Sequence, residues 1–107
     1  MKKAFLDDEN IIKIKKVIKS YGADRIILFG SRVKHLENKF SDYDTLAIFN
    51  KSFNHKEKIN LETKIRKELA KDFVDIDILV RTKSDIEIAE TKIGSATKNA
   101  LQEGIEL

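Results

Sequence analysis

The apolar positions of the chain follow two patterns, one typical of amphipathic helices and one typical of buried strands. Residues 8–20 place isoleucine and valine at helical spacing between lysines, and Gly22 comes just after them. Residues 55–71 repeat this spacing, and Asn54 with Glu57 forms a capping-box pattern ahead of them. Apolar side chains three and four residues apart share one face of a helix, so these patterns predict two long helices.

A third helical pattern lies near the end of the chain. Ser84 and Glu87 form another capping-box pattern, and apolar residues follow it at mostly helical intervals. The pattern predicts a last helix that runs to about Gln102, with Gly94 as the point where it would break. Gly104 is the residue expected to end it, because glycine is common just beyond a helix.

Three short apolar runs predict the strands. Residues 25–29 (RIILF) and 45–49 (TLAIF) are nearly continuous apolar runs, which are typical of interior strands. Residues 73–80 (FVDIDILV) alternate, with Asp75 and Asp77 on one side and apolar residues on the other. The order helix, strand, strand, helix, strand, helix predicts an α/β (α+β) domain with a small mixed sheet flanked by helices.

The composition indicates a folded domain and excludes several kinds of site. Hydrophobic residues make up 41% of the 107 residues and charged residues 36%, which is typical of globular domains. Proline is absent and no repeat marks a linker, so residues 1–107 are expected to form one domain. The absence of cysteine excludes disulfides and thiolate sites. The 21 basic and 18 acidic residues are dispersed, which gives no direct indication of nucleic-acid binding.

The N-terminal residues and the lengths of the apolar runs bear on cellular location. The first ten residues, MKKAFLDDEN, lack the apolar stretch of a signal peptide. No run in the sequence approaches the roughly 20 apolar residues that a membrane-spanning helix needs. We therefore expect a cytoplasmic protein that has no membrane segment.

Two aspartates stand at the start of the second predicted strand. Asp42 and Asp44 are two residues apart, so the two-residue period of a strand points both side chains to one face. If the third strand pairs beside the second, Asp77 joins them. Parity does not separate Asp77 from Asp75, which stays the alternative third carboxylate. A polar turn, or an edge strand with its charges in solvent, would explain the same residues without a site.

A cluster of three carboxylates favours a divalent cation. Gathered like charges oppose folding unless a cation neutralises them. Ligands that are all carboxylate oxygens favour Mg²⁺ or Mn²⁺ over zinc, and magnesium commonly binds phosphate oxygens as well. The acidic residues therefore indicate a nucleoside triphosphate as the accompanying ligand.

Gly30 and Ser31 follow the first strand and supply a matching phosphate site. Glycine lets the backbone approach a ligand closely, and the serine hydroxyl and free N–H groups can donate to phosphate oxygens. Arg32 lies in the same turn, where its guanidinium could meet the triphosphate or simply face solvent. A glycine–serine pair alone is usually a plain turn, so the argument depends on the aspartates downstream.

The combined pattern resembles the minimal nucleotidyltransferase (MNT) domain of the DNA polymerase β-like nucleotidyltransferase superfamily. Its signature is Gly-Ser, ten residues, and then Asp-x-Asp, which corresponds here to Gly30–Ser31, residues 32–41 and the segment that starts at Asp42. The segments RIILFGSR, SDYD, VDIDILVRT and LQEGIEL resemble successive parts of the family's domain. The resemblance therefore covers nearly the whole chain.

The resemblance implies a polymerase β-like nucleotidyltransferase fold and a set of site residues. Asp77 becomes either a general base or a ligand for a metal on the nucleophile side. The chain departs from the family at His35 and Thr45, and neither departure removes a catalytic group. The implied residues are the catalytic and metal-binding carboxylates Asp42, Asp44 and Asp77 and the nucleotide-binding turn Gly30, Ser31 and Arg32.

The resemblance also implies a reaction and a partner. The reaction is transfer of a nucleoside monophosphate, AMP in the leading hypothesis, from Mg²⁺-bound ATP or another NTP to a hydroxyl, with pyrophosphate leaving. The partner in this family is commonly a HEPN toxin, so the resemblance implies an antitoxin that adenylylates a protein in a homo- or hetero-oligomer. Two alternatives stay open: a noncatalytic toxin-neutralising or nucleotide-binding module, and a transferase for a small molecule such as an aminoglycoside. The intact acids argue against the first and the chain length against the second.

Overall fold

The structure is a computed structural model that describes residues 8–30, 43–90 and 96–107, without the side chains of residues 89 and 90. None of the helices in these ranges is long and apolar enough to cross a membrane. In chain order, the elements are α1 (Glu9–Ser20), β1 (Arg25–Phe29), β2 (Tyr43–Phe49), α2 (His55–Ala70), β3 (Ile76–Thr82), α3 (Lys83–Glu90), α4 (Ala96–Glu103) and β4 (Ile105–Glu106).

The four strands form one mixed sheet in the order β3-β2-β1-β4. Strand β1 is antiparallel to both β2 and β4, and β2 is parallel to β3. The chain reaches a parallel neighbour only by crossing over the sheet, and α2 provides that connection. The predicted mixed sheet flanked by helices is confirmed, with β2 starting two residues earlier than predicted and β3 covering 76–82 rather than 73–80.

The start of α2 is the capping box that the sequence predicts. The Asn54 side chain accepts a hydrogen bond from the Glu57 N–H at 2.8 Å, and the Glu57 carboxylate accepts one from the Asn54 N–H at 2.9 Å. Two N–H groups that the helix leaves unpaired are therefore satisfied reciprocally. The boundary of α2 follows from these local bonds.

The start of α3 differs from the prediction. The capping box lies at Thr82 and Asp85, not at Ser84 and Glu87: Thr82 N–H donates to Asp85 Oδ2 at 2.9 Å, and Asp85 N–H donates to Thr82 Oγ1 at 3.2 Å. Thr82 is also the last residue of β3, so the helix follows the strand without a loop. The same threonine ends one element and caps the next, which a search for helical spacing alone does not detect.

The single helix predicted near the end of the chain corresponds to two helices in the structure. Helix α3 ends at Glu90 and α4 begins at Ala96, and the expected break at Gly94 lies outside the described residues. Helix α4 ends at Glu103, directly before Gly104, as predicted. A side chain on Gly104 would overlap atoms of Ile27, so β4 can follow closely against β1 only with glycine there.

One face of the sheet carries the larger core. Helices α1 and α2 pack on this face, because both present buried isoleucine or leucine along one side. The buried side chains of this face come from both helices and from strands β1, β2 and β3 and include Ile14, Ile18, Leu28, Ala47, Phe49, Ile65, Leu69, Ile76 and Val80. We call this the first face.

The opposite, second face carries a smaller core beneath α3 and α4. Its buried residues are Ile27, Leu46 and Ile48 from the strands, with Ile86 from α3 and Ala100 from α4. Because side chains alternate along a strand, β2 contributes Ala47 and Phe49 to the first face and Leu46 and Ile48 to the second. Strand β2 is therefore buried on both sides.

Candidate functional site

Two of the predicted carboxylates face each other across neighbouring strands. Asp44 in β2 and Asp77 in β3 are direct partners in the parallel register, so their side chains point to the same face. Paired strands lie about 4.8 Å apart, which brings the two carboxylates within reach of one ligand. Asp44 is half-buried and Asp77 is exposed. The strand pairing on which the predicted cluster depends is present.

These carboxylates belong to the second face, at the end that the described helices leave open. Leu46, two residues after Asp44, is fully buried in the core beneath α3 and α4. Asp77 stands between Ile76 and Ile78, whose buried side chains point to the first face. The sheet therefore places charge at one end of a face whose other end is apolar.

Gly30 lies directly against the Asp44 carboxylate. Phe29 pairs with Asp44 in the antiparallel register, and Gly30 is the next residue of the chain. A Cβ at Gly30 would overlap the Asp44 side chain, and its φ of +81° is in the region that favours glycine. The turn after β1 and the carboxylate of β2 thus meet only because residue 30 has no side chain.

Register also separates Asp75 from Asp77. Asp75 precedes β3, and its carbonyl oxygen accepts a hydrogen bond from the Tyr43 N–H at 3.2 Å. Asp44 therefore stands opposite Asp77 and not opposite Asp75. The parity of the sequence could not distinguish them, because both aspartates lie on the same side of the strand.

Sequence reasoning missed Tyr43 as a positioning residue for this site. Its side chain points away from Asp44 and is buried, and its hydroxyl donates to Asp8 Oδ2 at 3.1 Å and accepts from Asn10 Nδ2 at 3.3 Å. Asp8 is the N-cap of α1. Tyr43 therefore ties the start of β2 to the start of α1, and the strand alternation in SDYD is the signal that could have indicated it.

Thr45, on the other side of Asp44 in the chain, is also buried with its hydroxyl bonded. Its Oγ1 donates to the Tyr43 carbonyl oxygen at 3.2 Å, so its polar group is satisfied in place. Threonine at this position is thus compatible with a buried strand. Asp44 stands between two side chains that both lie in the protein interior.

Several predicted site residues lie outside the described residues. These are Ser31 and Arg32 of the phosphate turn and Asp42 of the Asp-x-Asp pair. Within residues 8–30, 43–90 and 96–107, no three histidine, cysteine, aspartate or glutamate side chains form a metal-binding group. The described part of the site is the pair Asp44 and Asp77 together with Gly30.

The donor set of this pair suits a hard cation. Asp44 and Asp77 offer carboxylate oxygens, and the whole sequence contains no cysteine. Oxygen ligands with an open side fit Mg²⁺, which keeps water ligands and accepts phosphate oxygens, better than they fit zinc. The residues present are therefore compatible with the cation that the family implies.

A family model described as "Polymerase beta, Nucleotidyltransferase" matches residues 12–104, which include the site and nearly all of the sheet. No curated protein matches the chain in sequence. By sequence, the chain is therefore assigned through the family model. Solved structures add a comparison of the fold.

Solved structures with a similar fold come from toxin–antitoxin complexes. A chain of a mutant MntA–HpeT toxin–antitoxin complex superposes with a TM-score of 0.58 at 18% identity, over 90% of this chain and 69% of that chain. A toxin–antitoxin structure with AMP-PNP gives 0.58 and 18%, over 89% and 69%. A tri-AMPylated Shewanella oneidensis HEPN toxin in complex with an MNT antitoxin gives 0.53 and 17%, over 91% and 67%.

These structures share the overall fold of this chain. The predicted polymerase β-like fold is confirmed by the mixed sheet and by the family model together. The chain belongs to the polymerase β nucleotidyltransferase family.

Proposed function

We propose that the chain is an Mg²⁺-dependent nucleotidyltransferase that transfers AMP from ATP to a hydroxyl of a partner protein, as the antitoxin of a HEPN-type toxin. The observation that carries the proposal is the pairing of Asp44 with Asp77, next to Gly30, at the open end of the second face. Two neighbouring carboxylates supply the oxygen ligands that a divalent cation prefers. The presence of this pair at an open surface favours a catalytic site over a structural one.

The proteins with a similar fold support the choice of nucleotide and partner. One of them contains AMP-PNP, and another contains an AMPylated HEPN toxin bound to an MNT antitoxin. These ligands and partners belong to those proteins. The proposal extends them to this chain because the chain belongs to the nucleotidyltransferase family and has a fold similar to that of these structures.

The proposed site divides between two strand ends. Asp42, Asp44 and Asp77 would hold Mg²⁺, or Mn²⁺ in its place, and Gly30 with Ser31 and Arg32 would hold the triphosphate of the NTP. When bound, the cation would neutralise the carboxylates and stabilise the negative charge that develops on the phosphate oxygens. Gly30 would let the phosphates approach the backbone closely, since no side chain stands between them and Asp44.

The reaction is an in-line displacement at the α-phosphorus of ATP. The hydroxyl oxygen of the acceptor forms a bond to this phosphorus, the bond to the bridging oxygen breaks, and pyrophosphate leaves. Asp77, which is exposed and lies on the outer described strand, would orient the hydroxyl and accept its proton. Asp44 is held more firmly, because β2 pairs with strands on both sides.

The test is transfer of radiolabel from ATP labelled at the α-phosphate to the product of the neighbouring gene, which we expect to be a HEPN-type protein, in the presence of Mg²⁺. We expect label on the partner, and we expect Asp44→Asn to lower the transfer rate by about 10³-fold while the protein stays folded. Asp24→Asn, which removes an exposed carboxylate at the other end of β1, is the matched control and should leave the rate unchanged.

Three results would contradict the proposal. Tight complex formation without label would indicate a noncatalytic binding module. Label on an aminoglycoside but never on the protein would indicate a small-molecule transferase. Unfolding of Asp44→Asn would indicate that the carboxylate has a structural role.

A further inference from the structure

Phe73 has an unusual backbone conformation in the turn between α2 and β3. Its φ is +60°, and it is the one residue other than glycine with positive φ in the described ranges. Its N–H donates to the Ala70 carbonyl at 3.0 Å, and the N–H of Val74 donates to the Leu69 carbonyl at 3.0 Å. These two bonds form a Schellman motif, in which the left-handed position is usually glycine.

The other long helix of the same protein ends in the usual way. After α1, Gly22 has a φ of +96° and donates its N–H to the Lys19 carbonyl at 2.9 Å. A large side chain in this conformation is strained, because its Cβ comes close to the backbone. Phe73 therefore occupies a position for which glycine would be the more stable residue.

The ring of Phe73 gives no packing in return. It is 94% exposed, whereas the neighbouring Val74 and Leu69 are buried in the core of the first face. Exposed aromatic rings do not contribute the hydrophobic stabilisation that buried ones do. Neither the turn nor the core explains why this residue is phenylalanine, and an exposed aromatic ring in a strained turn is suited to contact with another protein.

Phe73 lies at the same end of the sheet as the carboxylates. It precedes Asp77 by four residues, which at about 3.3 Å per residue places the two within roughly 13 Å of each other. Asp44 and Asp77 are each the second residue of their strands, and the turn with Phe73 leads into the same end of the sheet. Strand β3 is also the outer strand at this side of the described sheet.

The geometry of an in-line displacement indicates which substrate enters at the β3 side of the sheet. The attacking oxygen and the leaving oxygen lie on opposite sides of the phosphorus. Across the sheet, the order is Gly30 after β1, Asp44 in β2 and Asp77 in β3. With the leaving pyrophosphate on the Gly30 side, the acceptor hydroxyl arrives from the side of β3, the strand into which the turn with Phe73 leads.

We propose that Phe73 is a docking residue for the acceptor protein, whose surface receives the phenylalanine ring in an apolar pocket beside the hydroxyl to be modified. This inference rests on the proposed function for the side from which the acceptor enters. The proposed ligand of Phe73 is the acceptor protein and not the nucleotide, because the nucleotide would bind on the Gly30 side of the carboxylates. Aromatic side chains inserted into a partner's pocket are common centres of binding energy.

The test compares Phe73→Gly with the unchanged chain in transfer and in binding, using the HEPN-type protein as acceptor. Because glycine suits the left-handed position, we expect the variant to unfold at a temperature at least about 4 °C higher. We expect its KM for the acceptor and its Kd for the acceptor to rise at least 10-fold, while its KM for ATP stays the same.

Two control variants separate docking from general effects. Phe73→Tyr keeps an aromatic ring and should hold the acceptor Kd within about threefold of the original value. Ile59→Ala removes exposed apolar surface from the opposite end of α2, some 16 Å away along the helix, and should leave acceptor binding unchanged.

Each alternative outcome identifies what fails. Unchanged acceptor KM and Kd in Phe73→Gly, with normal transfer, would overturn the docking role and leave the proposed function intact. A rise in the KM for ATP alone would instead indicate stacking on the nucleobase and would also overturn it. If the unchanged chain binds the acceptor but transfers no label, the proposed function fails, and the Kd comparison still decides whether Phe73 is the docking residue.

Discussion

The two faces of the sheet differ in how completely helices cover them. On the first face, α1 and α2 cover side chains from β1, β2 and β3, and the core is continuous. On the second face, α3 and α4 cover a smaller core, and the end that the described helices leave uncovered carries Asp44 and Asp77. Stability and chemistry are therefore divided between the faces of the same strands.

Strand β2 shows why this division works. Tyr43 and Asp44 are adjacent, yet the tyrosine is buried on the first face and the aspartate is half-buried on the second. A carboxylate beneath α3 or α4 would lose its hydration, which costs far more than a buried methyl group contributes. The acidic residues can thus be tolerated only where the second face is left open.

The largest effect should come from the open end of the second face. We expect Asp77→Asn to lower the rate of transfer by about 10³-fold, because Asp77 stands beside Asp44 and faces the acceptor side. Asp75→Asn, two residues earlier, should change the rate by less than about threefold. Steady-state transfer of labelled AMP measures both variants. The reverse order of effects would make Asp75 the third carboxylate.

A smaller effect should come from the two cores, because a leucine in each core should contribute a different amount to the free energy of unfolding. Leu69→Ala, on the fully buried first face, should lower the free energy of unfolding by about 3 kcal/mol. Leu101→Ala makes the same change in α4 on the second face, where the leucine is only partly buried, and should cost about 1 kcal/mol. Urea unfolding measures both values. Equal losses would mean that the second face is as tightly packed as the first.

The smallest effect concerns how α3 is fixed over the second face. Burial of the Asp85 carboxylate disfavours its charged form, but hydrogen bonds from Lys58 and Thr82 outweigh burial and hold its pKa below the ordinary 3.8. The stability that Asp85 contributes is therefore fully present above pH 3.8 and is lost as the pH falls through the lower pKa of the folded protein.

We expect Asp85→Asn to lower the free energy of unfolding by about 1 kcal/mol at pH 7, with the difference from the unchanged chain shrinking below pH 3.8. Unfolding curves collected across this pH range measure the difference. Glu87→Gln, on the exposed side of α3, is the control and should show no such pH dependence. If the difference in the free energy of unfolding were the same at every pH, the charge of Asp85 would not be its cause.

Local patterns of the sequence were sufficient for most elements and for part of the site. Helical spacing and the bonds of Asn54 and Glu57 place α2, and the apolar run at residues 25–29 coincides with β1. Such signals depend on residues within one or two turns of each other, so no distant contact is needed to detect them. The capping box predicted for α3 at Ser84 and Glu87 was wrong, because Thr82 both ends strand β3 and caps the helix.

The sequence by itself determined the order of the main helices and strands, the acidic character of the candidate site, and the family to which the chain belongs. Only the tertiary structure decided that Asp77, and not Asp75, stands opposite Asp44, that Gly30 touches this carboxylate, and that Phe73 occupies a glycine-like turn with its ring in solvent. The physical reason is that periodicity assigns a side chain to a face, whereas strand register and helix ends depend on bonds between residues distant in the chain.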